Sequence, residues 1–152
     1  MFQSLGVSAR PLRAESNVEV PTATLDAELI HALKAASLAG RLVRGLESAE
    51  NKLEAEDRGL KLADQASGVE RGVRVSRLLL LANDGADGFY KQVEKILRRH
   101  GPRVLAIRLH ANASELGEPL FGAGRTARLL MLAHKETVAS IILAMATQFE
   151  ET

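Results

Sequence analysis

The chain has 152 residues, 46% of them hydrophobic, which is enough for one packed domain and too apolar for a disordered chain. It has a formal net charge of +1 and no cysteine, which excludes disulfides, thiolate zinc sites and a cysteine nucleophile, and fits a reducing, cytoplasmic setting. No apolar run approaches the ~20 residues of a membrane span, and the first twenty residues lack the apolar core of a secretory signal.

Residues 1–22, punctuated by Pro11 and Pro21, show no sustained period and read as a disordered tail. Thr24 is positioned to cap a helix whose inner face is Leu25, Leu29, Ala32, Leu33 and Ala36, and Gly40 ends it. Residues 41–44 make a short strand. Gly45 then turns the chain into a second helix, with Leu46, Ala49 and Leu53 inward and a break near Gly59. Residues 64–76, with two glycines and mixed charge, read as a flexible connection.

Residues 77–82 (RLLLLA) form the continuous apolar run of a strand buried on both faces. The helix after Asn83-Asp84-Gly85 turns Phe89, Val93, Ile96 and Leu97 inward and Lys91, Lys95, Arg98 and Arg99 outward, until Gly101-Pro102 stops it. Residues 104–109 are a further strand. Asn112, with Glu115 three residues on, is a capping-box start for a short helix. Residues 127–133 (ARLLMLA) are a third buried run, and the last helix carries Val138, Ile141, Ile142 and Met145 on one side. This alternation predicts a single α/β domain over 23–150, a three-layer α-β-α sandwich on a four-stranded, mostly parallel mixed sheet with residues 77–82 in its interior.

Between residues 71 and 110 nine Lys and Arg stand against three acids, an excess of six on a nearly neutral chain. Such a field suits a polyanion partner, and it equally describes solvated helix and strand ends. Catalytic signals are sparse. Gly122-Ala123-Gly124 precedes a strand, where a dinucleotide fingerprint must follow one, and so reads as a turn. Asp84 and Asp87 lack the later ligands of a calcium loop, and His31, His100, His110 and His134 fall at no metal-ligand spacing. No cofactor is expected, and a binding module is a better reading than an enzyme.

Three ordered segments carry a family resemblance. They are AGRLVRG running into LESAENKL, LLLLANDGAD running into FYKQVEKILRRHG, and Glu115-Leu116-Gly117 followed by Gly122 and ARLLMLAHKETVASIIL. Together they resemble the kink-turn-binding ribosomal proteins, especially the bacterial YlxQ-like RNA-binding members. The resemblance covers residues 25–149, with residues 58–75 as a flexible insertion, and implies a non-catalytic protein that contacts structured, possibly ribosomal, RNA.

It also implies a site where the first strand meets the second helix, joined by the loop before the Leu-Gly helix. That assigns phosphates to Arg41 and Arg44, close backbone approach to Gly45, and base edges to Glu47, Ser48 and Asn51 with Lys52 beside them. Small polar contacts fall to His110, Asn112 and Ser114. For Arg41 and Arg44 the competing reading is an edge strand charged against aggregation. The family's kink-turn binders carry an Asn-Glu pair and a Lys where this chain has Glu47, Ser48 and Asn51, so a kink-turn preference is not expected. The alternative from another class is a protein-interaction scaffold on the same fold.

Overall fold

The computed structural model describes residues 9–12, 18–67 and 75–150. Its elements in chain order are β1 (Ala9–Pro11), β2 (Glu19–Ala23), α1 (Ala27–Leu38), β3 (Leu42–Arg44), α2 (Leu46–Ser67), β4 (Arg77–Leu81), α3 (Asp87–His100), β5 (Val104–Leu109), α4 (Ala113–Phe121), β6 (Leu129–Leu132) and α5 (Lys135–Glu150).

The strands form an open mixed sheet in the order β1-β2-β5-β4-β6-β3. The expected four-stranded, mostly parallel sheet is therefore wrong in number and direction. Only β2–β5 and β5–β4 are parallel, while β4–β6, β6–β3 and the β1–β2 hairpin are antiparallel. The extra strands come from the segment read as a tail, where β1 and most of β2 lie. Hydrophobic periodicity could not reveal them, because β1 is three residues long and Pro21 interrupts β2. Pro21 is tolerated because the parallel register with β5 involves only Thr22 and Ala23.

The central strand explains the layering. Leu78 and Leu80 of β4 join Leu105, Ile107, Leu130 and Leu132 under α1, α4 and α5. Leu79 and Leu81 join Ala106, Leu129 and Met131 under α2 and α3. Alternate side chains thus enter two cores, one on each face, giving the α-β-α sandwich. Residues 78–81 are all fully buried and β4 sits inside the sheet, as its unbroken apolar run predicts.

Local signals fare unevenly. Asn112 does form a reciprocal capping box with Glu115. At α1 the cap is Asp26, which accepts from the Leu29 amide, so the helix starts two residues later than Thr24 would set it. The break near Gly59 does not occur, since α2 continues to Ser67 and takes up much of the expected insertion. Residues 68–74 of that segment lie outside the described residues. A glycine inside a helix costs about 0.5–1 kcal/mol relative to alanine, and a Cβ at Gly59 would meet nothing within 4 Å. Packing against the described residues therefore does not require that glycine.

Candidate nucleic-acid interface

The sheet has two ends of different make-up. One gathers the C-terminal ends of β2, β3, β4 and β5, the start of β6 and the start of α2. Gly45 sits here between β3 and α2. Its φ is +97°, its amide donates to the Leu129 carbonyl at 2.9 Å, and its carbonyl accepts the first helical bond from Ala49 at 3.1 Å. Glycine suits this position because other residues rarely adopt that φ. Having no side chain, it cannot cover the first-turn amides of α2. Apart from its chain neighbours, no described heavy atom lies within 4 Å of where its Cβ would be, and Glu47 and Ser48 in the first turn of α2 are exposed.

Arg44, next to it, is exposed but held. Its Nε and Nη2 both donate to the Thr126 carbonyl at 3.1 and 2.7 Å, and the guanidinium lies 4.6 Å from the Phe121 ring centre. These contacts join β3 to the loop between α4 and β6. Gly117 brings that loop in close, since a Cβ there would lie 2.6 Å from Arg125 and Thr126 backbone atoms. Ala127 completes the tie by donating to the Ala113 carbonyl at 3.0 Å. Exposed Arg125 and Arg128 therefore ride on a fixed loop beside Arg44, with Arg128 Nε 3.9 Å from Asp84.

The sequence-predicted residues divide accordingly. Arg44, Gly45, Glu47 and Ser48 share this end, with Asn51 and Lys52 one turn further along the solvent side of α2, where Lys52 approaches Glu56 at 3.9 Å. His110, Asn112 and Ser114 lie at the same end, where the chain leaves β5 for α4 and the Ala113 carbonyl accepts from Ala127 of the loop that carries Arg125. The Asn112 side chain is committed to capping α4. Arg41 is not brought into this group. It lies at the opposite end of β3, ~10 Å along the strand, where its carbonyl accepts from Ala133 at 3.0 Å.

Arg125 and Arg128 are not among the sequence-predicted residues, because Gly122-Ala123-Gly124 reads only as a turn. The signal available was two arginines in a glycine-flanked stretch just before a buried run.

The basic excess of residues 71–110 is largely matched from within. Arg77 and Arg103 both engage Glu56, at 2.9 and 3.2 Å, and Arg103 also holds Asp57 at 2.9 Å. Arg99 pairs with Glu54, Arg98 with Glu94 and Lys91 with Asp87. Arg108 donates to the Leu12 carbonyl and stacks on Tyr90 at 4.8 Å. Arg71 and Arg74 lie outside the described residues. The acids responsible sit mainly on α2, so a charge count confined to residues 71–110 could not register them.

Burial alone would raise the pKa of Glu56, but hydrogen bonds and charge from Arg77 and Arg103 more than offset it and hold the carboxyl below its usual range. Asp57 is lowered in the same way, with Arg103 and His100 outweighing burial. The His100 Nδ1 lies 2.5 Å from Asp57. Among the described residues no group of three or more acids and histidines could hold a metal ion, and no helix is long and apolar enough to cross a membrane.

No family model matches the sequence, and no curated protein matches it. Solved structures do match its fold. A protein of unknown function from Bacillus halodurans aligns with a TM-score of 0.52 at 16% identity, over 79% of this chain and 98% of that one. A Giardia lamblia 15.5kD RNA binding protein aligns with a TM-score of 0.50 at 16% identity, over 82% of this chain and 86% of that one. At that identity the likeness shows a shared fold.

Proposed function

We propose that this chain is a non-catalytic RNA-binding protein that contacts structured RNA through the Gly45 end of its sheet. The observation that carries the reading is the convergence there of an open helix start at Gly45 with Arg44, Arg125 and Arg128 on anchored backbone. Backbone amides and fixed guanidinium groups suit phosphates, while Glu47, Ser48 and Asn51 offer polar groups to base edges. The fold shared with the Giardia RNA binding protein supports the same class. With Glu47 and Ser48 in place of an Asn-Glu pair, the site is read as tolerant of RNA shape, without a kink-turn preference.

The test is a paired titration of a kink-turn RNA and an unkinked duplex of equal length across a salt series. Affinity is expected to fall linearly with log salt, and Arg44→Ala and Arg125→Ala should each flatten the slope by roughly one. Arg41→Ala, at the other end of β3, should leave it unchanged. Tight selection of the kink-turn would refute the tolerant reading, and salt-indifferent binding would refute the site. The internal pairing of the basic segment favours a second reading, a protein-interaction scaffold, and failure to bind either RNA at low salt would select it.

A further inference from the structure

We propose that a second site, at the opposite end of the sheet from Gly45, takes the phosphate group of a small phosphorylated ligand. A cleft of about 470 Å³ opens there, and its lining includes Gly59 and Glu56 of α2, Ser76, Arg77, Arg103 and Lys135. Strand direction brings these residues together. Arg77 opens β4, Arg103 precedes the parallel β5 and Lys135 follows the antiparallel β6, so all three cations reach the same edge.

Glu56 would seem to oppose an anion, but its two oxygens are already engaged by the guanidinium groups. Each arginine carries five N–H donors in a rigid fork. Among the described residues Arg77 spends three, on Glu56 and the Ser76 carbonyl, and Arg103 four, on Glu56, Asp57 and the Leu53 carbonyl. That leaves three donors without a described acceptor, on planes that the carboxylates hold still, which is the preorganisation an oxyanion requires. Lys135 adds a charge with no acidic partner among the described residues.

Gly59 supplies an independent observation. It weakens α2, has no packing neighbour among the described residues outside its own helix, and lines this cleft. A ligand that approaches the helix backbone closely would account for it.

The experiment is a titration of the full chain with inorganic phosphate, followed by amide NMR at constant ionic strength. The Gly59, Ser76 and Lys135 amides should shift together, with a Kd on the order of 1 mM. Lys135→Ala should weaken binding roughly tenfold, as expected for one charge-assisted hydrogen bond. Gly59→Leu should abolish it by filling the cleft while favouring the helix, so loss of binding cannot be put down to loss of fold. The proposal is overturned if phosphate leaves these amides unmoved, or if both variants bind as the parent does. Because Gly45 and Arg125 take no part, this outcome is independent of the RNA titration.

Discussion

Replacing Glu56 with alanine is expected to destabilise the fold by about 2–3 kcal/mol, measured as a lower urea midpoint at neutral pH. Removing one partner from a fully buried ion pair costs ~3–5 kcal/mol because the other charge is stranded. Here the side chains of Glu56, Arg77 and Arg103 remain 16–19% exposed, so solvent screens part of the loss. Two guanidinium groups lose a shared acceptor in one change, which keeps the effect well above that of a surface pair.

The same carboxylate sets the acid response. Its folded pKa is depressed, as is that of Asp57, so their stabilisation is fully present above the ordinary carboxylate range. It is lost as pH falls below ~4.3 toward the folded values. The parent should therefore lose stability in that window more steeply than Glu56→Gln, which has no proton to take up at position 56. Parallel curves for the two proteins would show that the Arg77–Glu56–Arg103 cluster carries no such linkage.

Gly117→Ala is expected to cost about 3 kcal/mol and to weaken RNA binding in the same variant. Added volume in a packed site typically costs ~1–3 kcal/mol, and this position should fall at the top of that range. The new methyl would meet backbone atoms at 2.6 Å, where no flexible side-chain end can turn aside. The loop cannot yield cheaply either, because Ala127 is bonded to Ala113 and the Thr126 carbonyl to Arg44. Relief must come by moving residues 125–126, which carries Arg125 away from Gly45. Urea unfolding and RNA titration of one preparation check both parts. Unaltered stability would mean that α4 and the loop pack less tightly than their backbone distances require.

What could be read from the sequence follows from how local each signal is. Residues 78–81 and 129–132 declare themselves by unbroken apolar runs, because strands covered on both faces need nothing else. The capping box at Asn112 is equally local. Strand direction is not, and nothing within residues 129–132 states that they run against β4. The resemblance to kink-turn binders pointed to Gly45 and Arg44, but not to the 82-residue contact that ties Arg44 to Thr126. Likewise Arg77 and Arg103 count toward the basic excess of residues 71–110, because the acid that pairs them lies 21 and 47 residues away on α2.

The strand order also constrains how the chain is made. Before β4 appears, the only native pairing open to the described residues is the β1–β2 hairpin, since β2 waits for β5 and β3 waits for β6. Among the described residues β6 is thus the only bridge between β3 and the rest of the sheet. The Gly45 end can close only after residue 129 has left the ribosome, because the Gly45 amide has its partner there.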